Sequence, residues 1–318
     1  MTNSNVSLDD KYSIESGRIF VTGVQALARI PMVQRQRDVL EGLNTAGFIS
    51  GYRGSPVGGF DQQLWRAKKF LEQNHIRFQP GLNEDLAASA IWGSQQTNLH
   101  EGGKYDGVFA IWYGKGPGVD RCGDVFKHGN MSGPAKHGGV LLIAGDDHAA
   151  KSSTVPHQSE YAFMDASIPV LNPAGLQDIV DYGILGFAMS RFSGCWVAFK
   201  TTAENMDSSA SIDVSPDRVK ISLPKFDMPE GGLSIRWPDD WIEQEHRLHQ
   251  YKLNAVRAFA RQNKIDKTII NSQNPKLGVV TTGKSYLDVR QALEDLGINE
   301  TKADKIGLRL YKVGMPWP

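Results

Sequence analysis

Short apolar runs that end in glycine-rich or polar loops recur along the chain as far as Asp217. "AGFIS" leads to "GYRGSPVGGFD" and then to "QQLWRAKKFLEQ"; "DGVFAIWY" leads to "GKGPGVDR", and "GGVLLIA" to "GDDHAAKSS". "SIPVL" leads to "NPAGLQDIVDYGILGFAMSRF", where Asn172 and Pro173 are expected as N-cap and first helical position, and "CWVAFKTT" follows. The runs are continuous rather than alternating, as strands buried on both faces must be. Their alternation with helices indicates an α/β fold with a parallel sheet between two helical layers. Ligands of such sheets bind beyond the carboxyl ends of the strands, where these loops fall.

The character changes after Asp217. "SLPKFDMPEGGLSIRWPDD" reads as an extended connection, and "DWIEQEHRLHQYKLNAVRAFARQN" as a charged helix with an apolar stripe at Leu248, Tyr251, Leu253 and Val256. "KLGVVTTGKSYLDVRQALEDLG" then opens a new strand, turn and helix, with Val289, Ala292, Leu293 and Leu296 on one helical face. A strand, a helix and part of a second strand cannot bury a core, so this second unit is expected to be cut short. The chain of 318 residues, 40% of them hydrophobic, is otherwise long enough for a sizeable core.

Charge and composition exclude several classes. With 35 basic and 35 acidic residues the chain has no general affinity for nucleic acid or anionic membrane. It has no apolar run of about 18 residues and no secretory pattern at its N-terminus, so a cytoplasmic location is expected. The 2 cysteines, Cys122 and Cys195, cannot supply a four-thiolate iron–sulfur or zinc site by themselves.

Two motifs are set aside. "GVVTTGKS" fits the P-loop expression of nucleotide hydrolases, but Val279 and Val280 read as the strand itself, which leaves only Thr281 to Gly283 for a turn. "GDD" with Asn172 is spaced like the G-D-G and asparagine that hold magnesium in thiamine enzymes. Its third position is Asp147, however, and Asn172 is better used as a helix cap, so no metal site is assigned. His148 and His157 lack a third His or Cys for zinc, and no G-x-S-x-G elbow marks a serine hydrolase.

Three loops and one helix remain. "GYRGSPVGGFD" brings Arg53, expected to be buried among turn-forming glycines, with Gly54, Ser55 and Pro56 to a strand end, where backbone groups can approach a flat or anionic ligand. "GKGPGVDR" places Gly114, Gly116 and Gly118 at another. "GDDHAAKSSTVPHQSEYAF" gathers His148, Ser152, Ser153, His157 and Gln158 beyond a third. In "GLNEDLAASAIWGSQQ", Asn83 can cap a helix whose first residue is Glu84 and whose next turn is small enough to admit something close. An acid at that position suits the helix dipole with no further role, so the pattern alone leaves a ligand-facing Glu84 open.

Together "GFISGYRGSPVGGFDQQLWRAKKFL", "RFQPGLNEDLAASAIWGSQQ", "YDGVFAIWYGKGPGVDR" and "GDDHAAKSSTVPHQSEYAF" resemble the N-terminal part of the fused indolepyruvate ferredoxin oxidoreductases. These belong to the thiamine diphosphate-dependent 2-oxoacid:ferredoxin oxidoreductases, and the resemblance covers essentially the whole chain. It implies a pyrimidine-binding domain over 1–220, a linker and packing helix over 221–274, and the incomplete start of a transketolase C-terminal-like domain over 275–318.

The resemblance also implies an activity. An aryl or branched 2-oxo acid, indolepyruvate in the first place, is oxidatively decarboxylated to its acyl-CoA, and the electrons pass through [4Fe-4S] clusters to ferredoxin. Glu84 matches the glutamate that hydrogen-bonds the cofactor's aminopyrimidine; burial would favour its protonated form and the helix dipole its ionised form. Arg53 to Pro56 and Gly114 to Gly118 become cofactor-side loops. His148, Ser152, Ser153, His157 and Gln158 line the substrate side, with His157–Gln158 near the place where pyruvate-specific relatives carry an arginine. Magnesium, the clusters and coenzyme A belong to domains outside this chain. The stretch alone, expected in a homodimer, holds half a cofactor site and should turn over nothing. The alternatives are a non-catalytic pyrimidine-type dimerisation or regulatory module and, further off, a P-loop hydrolase.

Overall fold

The computed structural model describes residues 6–149 and 155–318. Its strands are β1 (Arg18–Thr22), β2 (Ala46–Gly51), β3 (Ile76–Phe78), β4 (Val108–Lys115), β5 (Val140–Asp146), β6 (Val170–Leu171), β7 (Val197–Thr202), β8 (Ser209–Asp213), β9 (Lys267–Asn271), β10 (Leu277–Thr282) and β11 (Leu308–Val313). Six of them form one sheet in the order β3-β2-β4-β5-β7-β6, every described pairing parallel. β1 and β8 pair antiparallel as a separate ribbon.

The continuous apolar runs are divided between two cores by strand pleating. From β4, Phe109, Ile111 and Tyr113 enter one core with the helices Gly23–Leu40 and Leu176–Ser193; Ala110 and Trp112 enter the other with the helix Glu84–Gln95 and with Phe126, Phe163 and Trp196. The three-layer α/β sheet is therefore the observed architecture. β2 is followed by the outer strand β3, after which the chain crosses to β4 on the other side of β2 and moves on to β5. The direction of winding reverses between β2 and β4, and beyond the carboxyl ends of strands at such a switch point lies the crevice where ligands of open α/β sheets bind.

After β8 the chain runs without regular structure to Asp240, whose side chain caps the helix Trp241–Arg247 by accepting from Ile242 and Glu243 N–H. A wider π turn, Leu248–Lys252, and the helix Leu253–Gln262 follow. Leu248, Leu253 and Val256 are buried and Tyr251 half-buried; Phe259 meets Phe192 with ring centroids 5.9 Å apart.

β10 and β11 are parallel, and β9 joins β11 antiparallel, in a small sheet of order β10-β11-β9. Its strand β9 arises within the stretch expected to be linker. Gly278 is paired inside β10, Gly283 alone makes the turn, and Lys284 bonds Asp288 on the surface of its own helix (2.5 Å), so no loop is available to wrap a phosphate. Asn172 does not cap a helix. The helix begins at Leu176 with Gly175 as N-cap; Asn172 donates through Nδ2 to Thr282 Oγ1 (3.1 Å) and through its N–H to the Gly314 carbonyl (2.8 Å). A tertiary contact between the two units has displaced the local capping signal. Lys312 strengthens the same joint, bonding Asp178 and standing over the rings of Tyr182 (5.5 Å) and Tyr286 (4.8 Å).

Candidate functional site

Glu84 opens the helix Glu84–Gln95 at the β2/β4 crevice. Asn83 caps that helix by accepting from Leu86 N–H (2.8 Å), and Trp112, reaching across from β4, donates its indole N–H to the Glu84 carbonyl (3.1 Å). The carboxyl group is buried, the residue being 7% exposed, and it rests on Gly118. A Cβ at Gly118 would lie 2.6 Å from Glu84 Cγ and 2.9 Å from Oε1, closer than side-chain carbons approach. Arg121 Nη1, on an exposed guanidinium, stands 3.9 Å from Oε2.

Gly116 and Gly118 lie in the helix Gly116–Arg121, which starts directly at the end of β4. Gly114 is still in the strand and Pro117 sits in the first helical turn, so the expected glycine loop is a strand-to-helix junction. Gly116 supports a second of the expected side chains: a Cβ there would lie 2.2 Å from His157 Cγ. His157 is held from the other side by Asp120, with Nε2 and Oδ2 3.0 Å apart, while Nδ1 is buried with no hydrogen-bond partner. His148 Nδ1 lies 3.2 Å from the His157 carbonyl, which ties the two histidines together. Two glycines of one short helix thus seat His157 and Glu84.

The remaining expected residues divide. Pro56 packs over Gly145 and Gly54 lies against the Lys115 side chain, placing this loop at the crevice, but Arg53 is exposed rather than buried. Gln158 is exposed beside His157, and Ser152 and Ser153 lie outside the described residues. Asp146 is buried and holds Ser159, accepting from its N–H (2.9 Å) and hydroxyl (2.5 Å) with Lys200 3.5 Å away. Burial raises its pKa against the opposing pull of Ser159 and Lys200, and its role is to anchor the polar loop. Among the described residues no cluster of His, Cys, Asp and Glu could hold a metal ion. Cys122, packed beside Asp85 and Glu84, has its thiol pushed up by burial and then by the two carboxylates, which leaves it inert.

Asp120 and Arg121 are additions to the site read from sequence. Their signal was their place on the first turn after the glycines, which resembles any solvated helix start.

Comparison with known proteins gives a consistent result. A family model described as "Indolepyruvate oxidoreductase domain" matches residues 267–318. Indolepyruvate oxidoreductase subunit IorA of Pyrococcus horikoshii is 25% identical over 309 residues, covering 95% of this chain and 42% of that protein. The IorA subunit of Methanothermobacter thermautotrophicus is 23% identical, covering 96% of this chain and 44% of its own length. The chain thus spans less than half the length of these curated relatives. A solved 2-oxoglutarate:ferredoxin oxidoreductase from Magnetococcus marinus superposes with a TM-score of 0.65 at 15% identity, covering 95% of this chain and 54% of that one. The chain is thus similar in sequence to indolepyruvate oxidoreductase IorA subunits and shares its fold with a solved 2-oxoglutarate:ferredoxin oxidoreductase.

Proposed function

We propose that this chain is the pyrimidine-binding part of a thiamine diphosphate-dependent oxidoreductase that converts an aryl or branched 2-oxo acid, indolepyruvate in the first place, to its acyl-CoA with ferredoxin as acceptor. The observation that carries the reading is the buried Glu84 carboxyl seated on Gly118 at the switch point of the sheet. The donor set fits the group: an acid held at a fixed place on Gly118, at the switch point of the sheet, can hydrogen-bond a ring nitrogen.

Thiamine diphosphate would supply the carbon nucleophile and electron sink for decarboxylation. The chain's own residues bind and orient. Glu84 would offer one carboxyl oxygen to a ring nitrogen of the group, with Arg121 Nη1 3.9 Å from the other oxygen. Gly54 to Pro56 shape one wall. His157, held by Asp120, forms the substrate side together with His148. The unit from β9 onward is the opening of a second domain, and the cofactor's pyrophosphate, magnesium and iron–sulfur clusters are held by domains outside this chain. Alone it turns over nothing.

Glu84→Gln in the complete enzyme is the test. Indolepyruvate-dependent ferredoxin reduction should fall by about 100-fold or more, the scale of losing a positioned acid–base group, with thiamine diphosphate still retained. Unchanged turnover would sink the reading and leave a non-catalytic dimerisation or regulatory module.

A further inference from the structure

The stretch between Ser222 and Ile235 has no regular structure, yet both of its ends are fastened. Ser222 and Asn263 exchange two hydrogen bonds of 2.9 Å, and Ile235 N–H donates to the Pro134 carbonyl at 2.9 Å. Just upstream, Arg37 donates to the carbonyls of Pro216 and Val219. Phe226, in the middle of this strap, meets Phe192 edge-on with centroids 6.2 Å apart.

Between the strap and the ends of the two long helices of the first core lies a cleft of about 750 Å³, within the range of small-molecule sites. It opens near the turn that leads into β5, at the end of the sheet opposite Glu84. One wall is apolar: Phe192, Leu223 and Met228, the last two 66% and 42% exposed. Side chains of that kind, left in contact with water on a fastened strap, favour a ligand that would cover them.

The other wall carries the cations Arg37 and Lys136, with the half-buried His137 beside them. The charge of nearby Arg191 is taken by Asp38, through contacts of 2.6 and 2.8 Å, and Glu41 faces Arg37. Lys136 is exposed and has no carboxylate partner among the described residues. His137 has its pKa lowered, by burial first and then by Arg191 and Lys136, so it adds no fixed charge, and the free cation of this wall among the described residues is Lys136.

The geometry points to a second binding site, separate from the crevice at Glu84, for a small amphipathic carboxylate: an aromatic or branched body against Phe192, Leu223 and Met228, with its carboxylate at Lys136. The inference does not depend on the thiamine reading, because no residue of the Glu84 crevice takes part.

Calorimetric titration of the protein with 2-naphthoate, and with 2-naphthol as the uncharged counterpart, tests it. Both Lys136 and Leu223 are exposed, so Lys136→Glu and Leu223→Asp should leave the thermal melt unchanged. Lys136→Gln and Leu223→Asn give the same comparison if either charged variant melts early. Saturable binding of 2-naphthoate is expected, weakened about tenfold or more by either substitution and by loss of the ligand's charge, and untouched by Glu84→Gln. Equal affinity for the two ligands, binding indifferent to both strap and lysine variants, or no saturable binding in the millimolar range would each overturn the proposal.

Discussion

The six-stranded sheet and the three-stranded sheet use the same local grammar, a parallel strand feeding a helix through a glycine, and they end in opposite conditions. In the large sheet, helices cover both faces, and strand residues such as Ile111, Trp112 and Phe199 are wholly buried. In the small one the helix Lys284–Asp295 has no buried residue, and Val280 on β10 is 69% exposed. The two turns diverge as well. Beyond β4, Gly116 and Gly118 support His157 and Glu84 at an open crevice; beyond β10, Gly283 is closed off by Asn172 of the first unit. A strand-to-helix turn becomes a site only where the winding reverses and leaves space beyond the strand ends.

The largest effect should come from the large sheet. Phe199→Ala, in the middle of β7, removes a fully buried ring from the first core and should cost about 3–5 kcal/mol, read as a shift of the urea unfolding midpoint at unchanged slope. A cost below about 1 kcal/mol would mean that this core is as loosely covered as the small sheet, and the contrast would fail.

The connection between the sheets supplies a smaller, pH-dependent effect. Lys252 is fully buried and donates to the carbonyls of Asn130 (3.1 Å) and Met131 (2.8 Å), where the helix Gly123–Ser132 ends. Burial lowers its pKa from 10.5 to about 8. Below pH 8 both folded and unfolded chains carry the proton. From there to about 10.5 only the unfolded chain does, so this group makes the protein more stable as pH rises through that window, by a few kcal/mol at most. Unfolding free energies of Lys252→Met should lack that rise. An equal slope in both proteins would show that the ammonium is as well solvated as a surface lysine.

The sheet was legible because its strands are buried on both faces, which forces continuous apolar runs that no surface element imitates. The helix at Glu84 was legible too, since Asn83 and the acids behind it are local signals. What lay beyond the sequence was contact across distance. Nothing local says that Glu84 rests on Gly118, that His157 rests on Gly116, or that Asp120 holds the imidazole. Arg53 looked buried because its neighbours are turn-formers, but the loop packs through Pro56 and turns the guanidinium outward. Asn172 misled in the opposite way, because a good cap sequence was recruited by Thr282 and Gly314 across the joint.

The smallest effect sharpens the contrast from the other side. Val280 faces water on β10, an edge strand of the small sheet, and Val280→Thr keeps the branched shape that a strand prefers while adding a hydroxyl. On an uncovered face that hydroxyl remains hydrated, and the change should stay within about 0.5 kcal/mol. On a covered face the same hydroxyl would be desolvated without a partner and should cost about 1–3 kcal/mol. Hydrogen exchange reads the same property by another route, since the amides of β10 should exchange well before those of β4, whose neighbours pair on both sides. Measured in this chain and again with the further domains of the proposed enzyme, the pair of values reports whether the face of β10 acquires a cover there. An increase in both the cost and the protection would mean that the small sheet is finished by surface supplied from elsewhere, and no increase would mean that the open face is its working state.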